Sequence, residues 1–185
     1  MKLTNKTLYH FRNQNRKNNN WIAGNEFIID SSYKNHICSD IIPINPSLSD
    51  IEKKIEYYTM LRQGESPFNI GEKMLELYRM DNCPGNISRL NCMYFCDEDS
   101  LEFWKHKLPS NYELYEVELN GEAFKSSSIL FPFSSRNCTY EEFLDLSFKY
   151  WNPDLSDKNI NEYGEYLFNG SVYVRERVNS KNIKE

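Results

Sequence analysis

The sequence contains no apolar run that approaches the roughly 20 residues needed to span a bilayer. Residues 1–6 also lack the apolar stretch that a secretory signal would need. Cysteine is sparse: the chain of 185 residues has five, an odd number that does not suggest a disulfide-stabilised secreted domain. Together these absences predict a cytoplasmic protein with reduced thiols.

An excess of basic charge is missing as well. The chain has 22 Lys and Arg residues against 27 Asp and Glu residues, which gives a net charge of −5 at pH 7. This balance argues against nucleic-acid binding driven by overall charge, although it leaves a local basic groove open.

Several familiar site motifs do not occur. There is no glycine-rich phosphate loop, no dinucleotide-binding fingerprint and no Gly-x-Ser-x-Gly elbow. Cys92 and Cys96 lack the Cys-x-x-Cys spacing of a zinc site, and His36 and His106 do not complete one. Buried thiols therefore explain the cysteines better than a metal site does.

Aromatic residues, in contrast, are plentiful. They make up 15% of the chain, so its low mean hydropathy of −0.72 does not imply disorder. The sequence shows no internal repeat and no Gly/Ser linker. It therefore predicts a single domain over residues 1–185.

Caps and periodicity predict four helices with strands between them. The first helix follows a capping box at 49–52 and places Ile51, Ile55, Tyr58 and Leu61 on one face. The other helices are predicted at 71–80, at 101–108 and, after a second capping box, at 139–150. Strands are predicted at 7–11, 26–29, 92–96, 112–119, 166–168 and 172–174.

The pair Asn169-Gly170 predicts a tight hairpin turn between the last two strands, because Asn-Gly suits the two-residue turns of hairpins. Strands at both ends of the chain with helices between them predict an α+β domain whose termini share one sheet.

Three residues stand where predicted strands meet polar segments: His10, Tyr94 and Glu165. Each has an ordinary structural explanation, as a packed histidine, a core tyrosine and a charge at a strand edge. Taken together, they also fit a site. Their order along the chain and their neighbours decide which interpretation we pursue.

The segments Leu8–His10, Met93–Trp104 and Glu165–Phe168 resemble motifs of the ADP-ribosyltransferase superfamily. The similarity is to its His-Tyr-Glu branch, which includes the poly-ADP-ribose polymerases and small bacterial or phage-type members. One departure from the family pattern is Phe11, which stands where a glycine often follows the motif histidine.

This resemblance implies a compact core of two small packed β-sheets with flanking helices, and NAD as the co-substrate. The implied reaction breaks the bond between nicotinamide and ribose through an oxocarbenium-like transition state. Glu165 would stabilise that positive charge. His10 would bind a ribose hydroxyl, and Tyr94 would stack on nicotinamide with Trp104 as a second wall.

The resemblance also implies residues that bind the rest of the dinucleotide. The backbone of Phe11 would hold the nicotinamide amide, and Arg12 and Arg16 would bind the pyrophosphate. Arg79 and Arg89 are further candidates for phosphate binding, with salt bridges as the alternative. No metal is required.

Glu162 competes with Glu165 for the role of the acid. We favour Glu165 because it directly precedes an apolar strand, whereas Glu162 lies in a polar segment. We expect His10, Tyr94 and Glu165 to line one cleft.

The most direct function implied by the resemblance is mono-ADP-ribosyl transfer to a protein, a nucleic acid or a small molecule. By family analogy, the chain would be a toxin or effector, a setting in which an inhibitory or antitoxin partner is common. Two alternatives stay open: a non-catalytic binding module on the same fold, and an NAD glycohydrolase that uses water as the acceptor.

Overall fold

A computed structural model describes residues 1–14, 20–30, 32–34, 38, 40–131 and 138–178. These residues form an α+β fold. The strands are β1 (Lys2–Asn13), β2 (Glu26–Ile29), β3 (Met93–Phe95), β4 (Tyr112–Ser127) and β5 (Gly164–Val178). The helices are α1 (Asp50–Arg62), α2 (Pro67–Asn82), α3 (Leu101–Lys107), α4 (Tyr140–Trp151) and α5 (Lys158–Glu162). None of these helices is both long enough and apolar enough to span a membrane.

The strands form one antiparallel sheet. Its order is β1-β4-β5-β2, and β3 pairs with the first part of β5. Tyr9 of β1 and Cys96, just after β3, join through two backbone hydrogen bonds of 2.8 and 2.9 Å. This bridge connects the free edge of β1 to β3. The hydrogen-bonded strands β1, β4, β5 and β3 therefore close into a ring.

A closed ring requires the long β4–β5 ribbon to bend, and two facing glycines, Gly121 and Gly170, lie in the middle of this ribbon. Gly170 has a φ of +147°, and a Cβ there would lie 2.5 Å from the carbonyl oxygen of Asn120. A Cβ on Gly121 would lie 2.3 Å from the carbonyl oxygen of Asn169. Only glycine permits this close approach of the two strands.

Two expectations are corrected at this bend. Asn169-Gly170 is not a hairpin turn, because β5 continues through it and pairs with β4 on both sides. The two packed sheets are instead two arms of one sheet. Residues from both sides of the bend share one apolar cluster, here called the inner core, which contains Leu3, Leu8, Trp21, Ile29, Met93, Phe95, Tyr115, Val117, Leu119, Ala123, Tyr166, Phe168, Val172 and Val174.

The opposite, outer face of β3, β5 and the end of β4 is covered by helices α2 and α4. Leu75 of α2 and the neighbouring Tyr150 and Trp151 of α4 are buried with Leu167 of β5 in one cluster. This helical cover determines where the side chains of the outer face lie, and it forms the wall of the site described below.

The predicted capping boxes are both present, Ser49 with Glu52 and Thr139 with Glu142. Helix α2 begins four residues before its predicted start, because Ser66 caps it and Pro67 occupies its first turn.

The apolar face predicted for α1 is not the face that the helix buries. Ile51 is 73% exposed and Ile55 is 59% exposed, whereas Tyr57 and Met60 are buried. Tyr57 fixes this orientation, since its hydroxyl donates to the carbonyl oxygen of Cys138 at 2.7 Å. The face of the helix was misassigned because apolar residues occur on both sides of it.

Candidate functional site

Glu165 lies at the start of β5 with its carboxylate under the helical cover, and only 4% of the residue is exposed. Its Oε1 atom accepts a hydrogen bond from Nη1 of Arg89 at 2.5 Å and another from the hydroxyl of Tyr150 at 2.6 Å. Arg89 also donates to the Tyr150 hydroxyl. The three side chains form the centre of the site.

Arg89 is fixed from its other side by Glu72 of α2. The guanidinium donates from Nε and Nη2 to the two carboxylate oxygens of Glu72, each at 2.8 Å. Such a bidentate pair fixes both the position and the plane of the guanidinium. Its carbon also lies 4.8 to 5.0 Å from the ring centres of Tyr94, Phe131 and Tyr150. A planar cation is therefore enclosed by two carboxylates and three aromatic rings.

Burial controls the protonation of this cluster. It raises the pKa of the Glu72 carboxyl, although Arg89 acts in the opposite direction. Burial also opposes the charge on Arg89, but Glu165 and Glu72 outweigh it and raise the pKa of the guanidinium. The pKa of Tyr150 is raised by burial, so its hydroxyl stays protonated at neutral pH and donates to Glu165.

Tyr94 lies on the same face as Glu165. In the β3–β5 register it faces Leu167, two residues beyond Glu165, and both side chains point to the outer face. The Tyr94 hydroxyl donates to the carbonyl oxygen of Arg89 at 3.2 Å, and burial raises its pKa. The structure therefore brings Tyr94 and Glu165 together through Arg89.

His10 lies on the other face. Its ring stacks on Trp21 with 4.4 Å between ring centres and lies 5.4 Å from the ring of Phe95 in the inner core. The cause is the bridge of Tyr9 to Cys96, since it places His10 next to Phe95 rather than beside the side chain of Tyr94. The structure does not place the three side chains in one cleft.

His10 still contacts β3 through the backbone. Its Nδ1 atom lies 2.8 Å from the carbonyl oxygen of Tyr94. Burial lowers the pKa of His10 to about 4, so the ring is neutral at pH 7 and Nδ1 carries the donated proton. The histidine thus holds the backbone of the strand that carries Tyr94.

The residues predicted to bind the dinucleotide are dispersed. Phe11 and Trp104 of α3 each pack against a small apolar cluster of Cys96, Leu101 and Leu114. The Trp104 indole donates to the carbonyl oxygen of Gly164 at 2.7 Å, and no ring contact joins it to Tyr94 within the described residues. Arg12 lies 4.0 Å from a carboxylate oxygen of Glu113.

Arg16 lies outside the described residues. For Arg79 and Arg89 the structure shows the salt-bridge alternative, with Arg79 paired to Glu76 and Arg89 to both Glu72 and Glu165. Glu162 is exposed at the end of α5, away from this buried cluster.

Sequence reasoning missed Glu72, Tyr150 and Phe131 as neighbours of Glu165. Glu72 was detectable as an acidic residue one helical turn before the apolar Leu75. Tyr150 lies at the end of the helix predicted at 139–150, but its partner could not be inferred from helix periodicity.

No group of three His, Cys, Asp or Glu side chains within the described ranges is arranged to hold a metal ion. The five cysteines are free thiols. At the candidate site the described side chains present an anchored carboxylate with aromatic neighbours.

No curated protein matches the chain. One family model covers residues 6–180 and is described as a protein of unknown function, DUF2441. With nearly the whole chain matched, this protein belongs to the DUF2441 family.

Proposed function

We propose that this protein is an NAD-dependent mono-ADP-ribosyltransferase in which Glu165 is the catalytic carboxylate and Tyr94 supplies an aromatic wall. The observation that supports this proposal is the position of the two residues. They are 71 positions apart in the sequence, yet they share one face of adjacent strands, and the buried guanidinium of Arg89 contacts both of them.

The chemistry asks for such a group. When the glycosidic bond of NAD breaks, its electron pair leaves with nicotinamide and positive charge develops on the ribose. A carboxylate held at that position stabilises the charge as it forms. An acceptor nucleophile then bonds to the anomeric carbon and releases its proton to solvent. In this proposal His10 supports β3 through the Tyr94 carbonyl rather than touching the ribose.

One observation favours a second candidate, a non-catalytic NAD-binding module. Glu165 is 4% exposed and Arg89 occupies one side of its carboxylate. A carboxylate used only as a structural ion-pair partner would look the same. The two candidates differ in turnover and not in fold.

Labelled NAD separates the candidates. The protein is incubated with NAD that carries the label in its adenylate part, with and without whole-cell lysate, and nicotinamide release is measured. Label transferred to protein or nucleic acid, identified by protease and nuclease treatment, supports the transferase. Release without a labelled acceptor indicates a glycohydrolase. NAD binding without release indicates the module.

The catalytic role of Glu165 is tested by Glu165→Gln. This change keeps the size of the side chain and removes its negative charge, so we expect transfer to fall by about 10²–10³-fold. The affinity for NAD should change far less, because the ground state carries no oxocarbenium. Glu162→Gln is the control and should retain most activity. Equal activity of both variants and wild type would exclude the assignment.

A further inference from the structure

The two oxygens of the Glu165 carboxylate differ in the hydrogen bonds that they accept. Oε1 accepts hydrogen bonds from both Arg89 and Tyr150. Oε2 accepts none from any residue that the structure describes. One oxygen is therefore anchored by two donors, and the other has no donor among the described residues.

The anchor is rigid because it comes from three separate elements. Arg89, in a short 3-10 helix before β3, is fixed by its bidentate pair with Glu72 of α2. Tyr150 comes from α4, with no exposed surface. Helices α2 and α4 pack on each other through the aromatic and apolar cluster between them. A carboxylate held by donors of this kind has one preferred rotamer.

We propose that Tyr150 and Arg89 are positioning residues that anchor Oε1 of Glu165 so that Oε2 faces the substrate. This inference rests on the proposed function and adds to it the residues that act through the catalytic carboxylate. Because a displacement of about 1 Å at a reacting group can lower the rate about 10²-fold, an anchor of this kind affects the chemical step more than substrate binding.

The test is Tyr150→Phe, which removes one donor to Oε1 and leaves the ring in place. The matched control is Tyr57→Phe, because Tyr57 is also a buried helical tyrosine whose hydroxyl donates one hydrogen bond. Tyr57→Phe loses one buried hydrogen bond, whereas Tyr150→Phe loses two, the one that Tyr150 donates to Glu165 and the one that it accepts from Arg89. Tyr150→Phe should therefore lose somewhat more thermal stability, and both variants are assayed at a temperature where they are folded. Nicotinamide release from NAD is measured as kcat and KM for both variants and the wild type.

We expect Tyr150→Phe to lower kcat by about 10- to 100-fold with KM for NAD within about twofold of wild type, while Tyr57→Phe matches wild type in both. Turnover by the wild type together with equal kcat values for the two variants would overturn the positioning role alone. A wild type that neither releases nicotinamide nor transfers label would overturn the proposed function, and the positioning role with it.

Discussion

Arg89 is the residue whose removal should have the largest structural effect. Arg89→Met keeps an apolar chain of similar length but deletes the charge that neutralises Glu72 and Glu165. It also removes two hydrogen bonds to Glu72, one to Glu165 and one to Tyr150. Two carboxylates would then remain in a region where Glu72 has no exposed surface.

The expected cost follows from that burial. Removing one partner of a buried ion pair costs about 3–5 kcal/mol, because an uncompensated charge is left behind. For a chain of this size, that loss lowers the melting temperature by about 6–20 °C. Total stabilities are about 5–15 kcal/mol, so the variant should still fold in dilute solution at low temperature.

Acid should partly restore the variant. The pKa of Glu72 is raised by burial, and without Arg89 nothing opposes that shift. The folded variant then binds more protons than its unfolded chain, so its stability increases as the pH falls through the raised pKa. We expect the stability difference from wild type to be smaller at pH 5 than at pH 7.

The assay is urea unfolding at both pH values, with Arg175→Met as the control. Arg175 also contacts two carboxylates, those of Glu116 and Glu118, but its side chain is 42% exposed. Its loss should therefore destabilise the protein far less than the loss of Arg89. Equal destabilisation by the two substitutions, or no gain on acidification of Arg89→Met, would refute the view of a charge-compensated buried cluster.

Two further predictions concern the fold. Burial lowers the pKa of His10 in the folded protein to about 4, so the unfolded chain takes up a proton at a higher pH than the folded protein does. The free energy of unfolding should therefore fall by about 2–3 kcal/mol as the pH drops from 6.5 to 4. In His10→Phe this part of the pH dependence, measured by urea unfolding, should be absent. Gly170→Ala should cost about 2–4 kcal/mol, since its Cβ would meet the carbonyl oxygen of Asn120, whereas Gly85→Ala, with open space around it, should be nearly neutral in the same assay.

Local sequence rules predicted helix starts well where the capping side chain binds the backbone of its own first turn. Both capping boxes lie where the sequence places them, since Ser49 and Thr139 satisfy backbone donors within their own first turns. The rules failed where the same residues are compatible with two backbone conformations. Gly170 can form a tight turn or permit a bend in a continuous strand, and its close approach to Gly121 decides between them.

The candidate site could be predicted in part. Tyr94 pairs with Leu167, and Leu167 is two residues after Glu165, so the alternation of side chains along a strand places Tyr94 and Glu165 on the same face. Both strands could be predicted from their short apolar segments. The side of the sheet taken by His10 could not be read in this way. It depends on the β1–β4 register, which pairs His10 with Tyr115 of the inner core, and on the bridge between Tyr9 and Cys96, and a shift of one residue would reverse it.

The same bridge brings His10 into contact with the backbone of β3, although its side chain does not reach the site itself. Its ring is clamped between Trp21 and Phe95, and Nδ1 donates to the Tyr94 carbonyl. Phe95, the residue after Tyr94, points to the inner core, whereas Tyr94 itself points to Arg89. His10 therefore fixes, from the inner face, the strand whose outer face carries an aromatic wall of the carboxylate site.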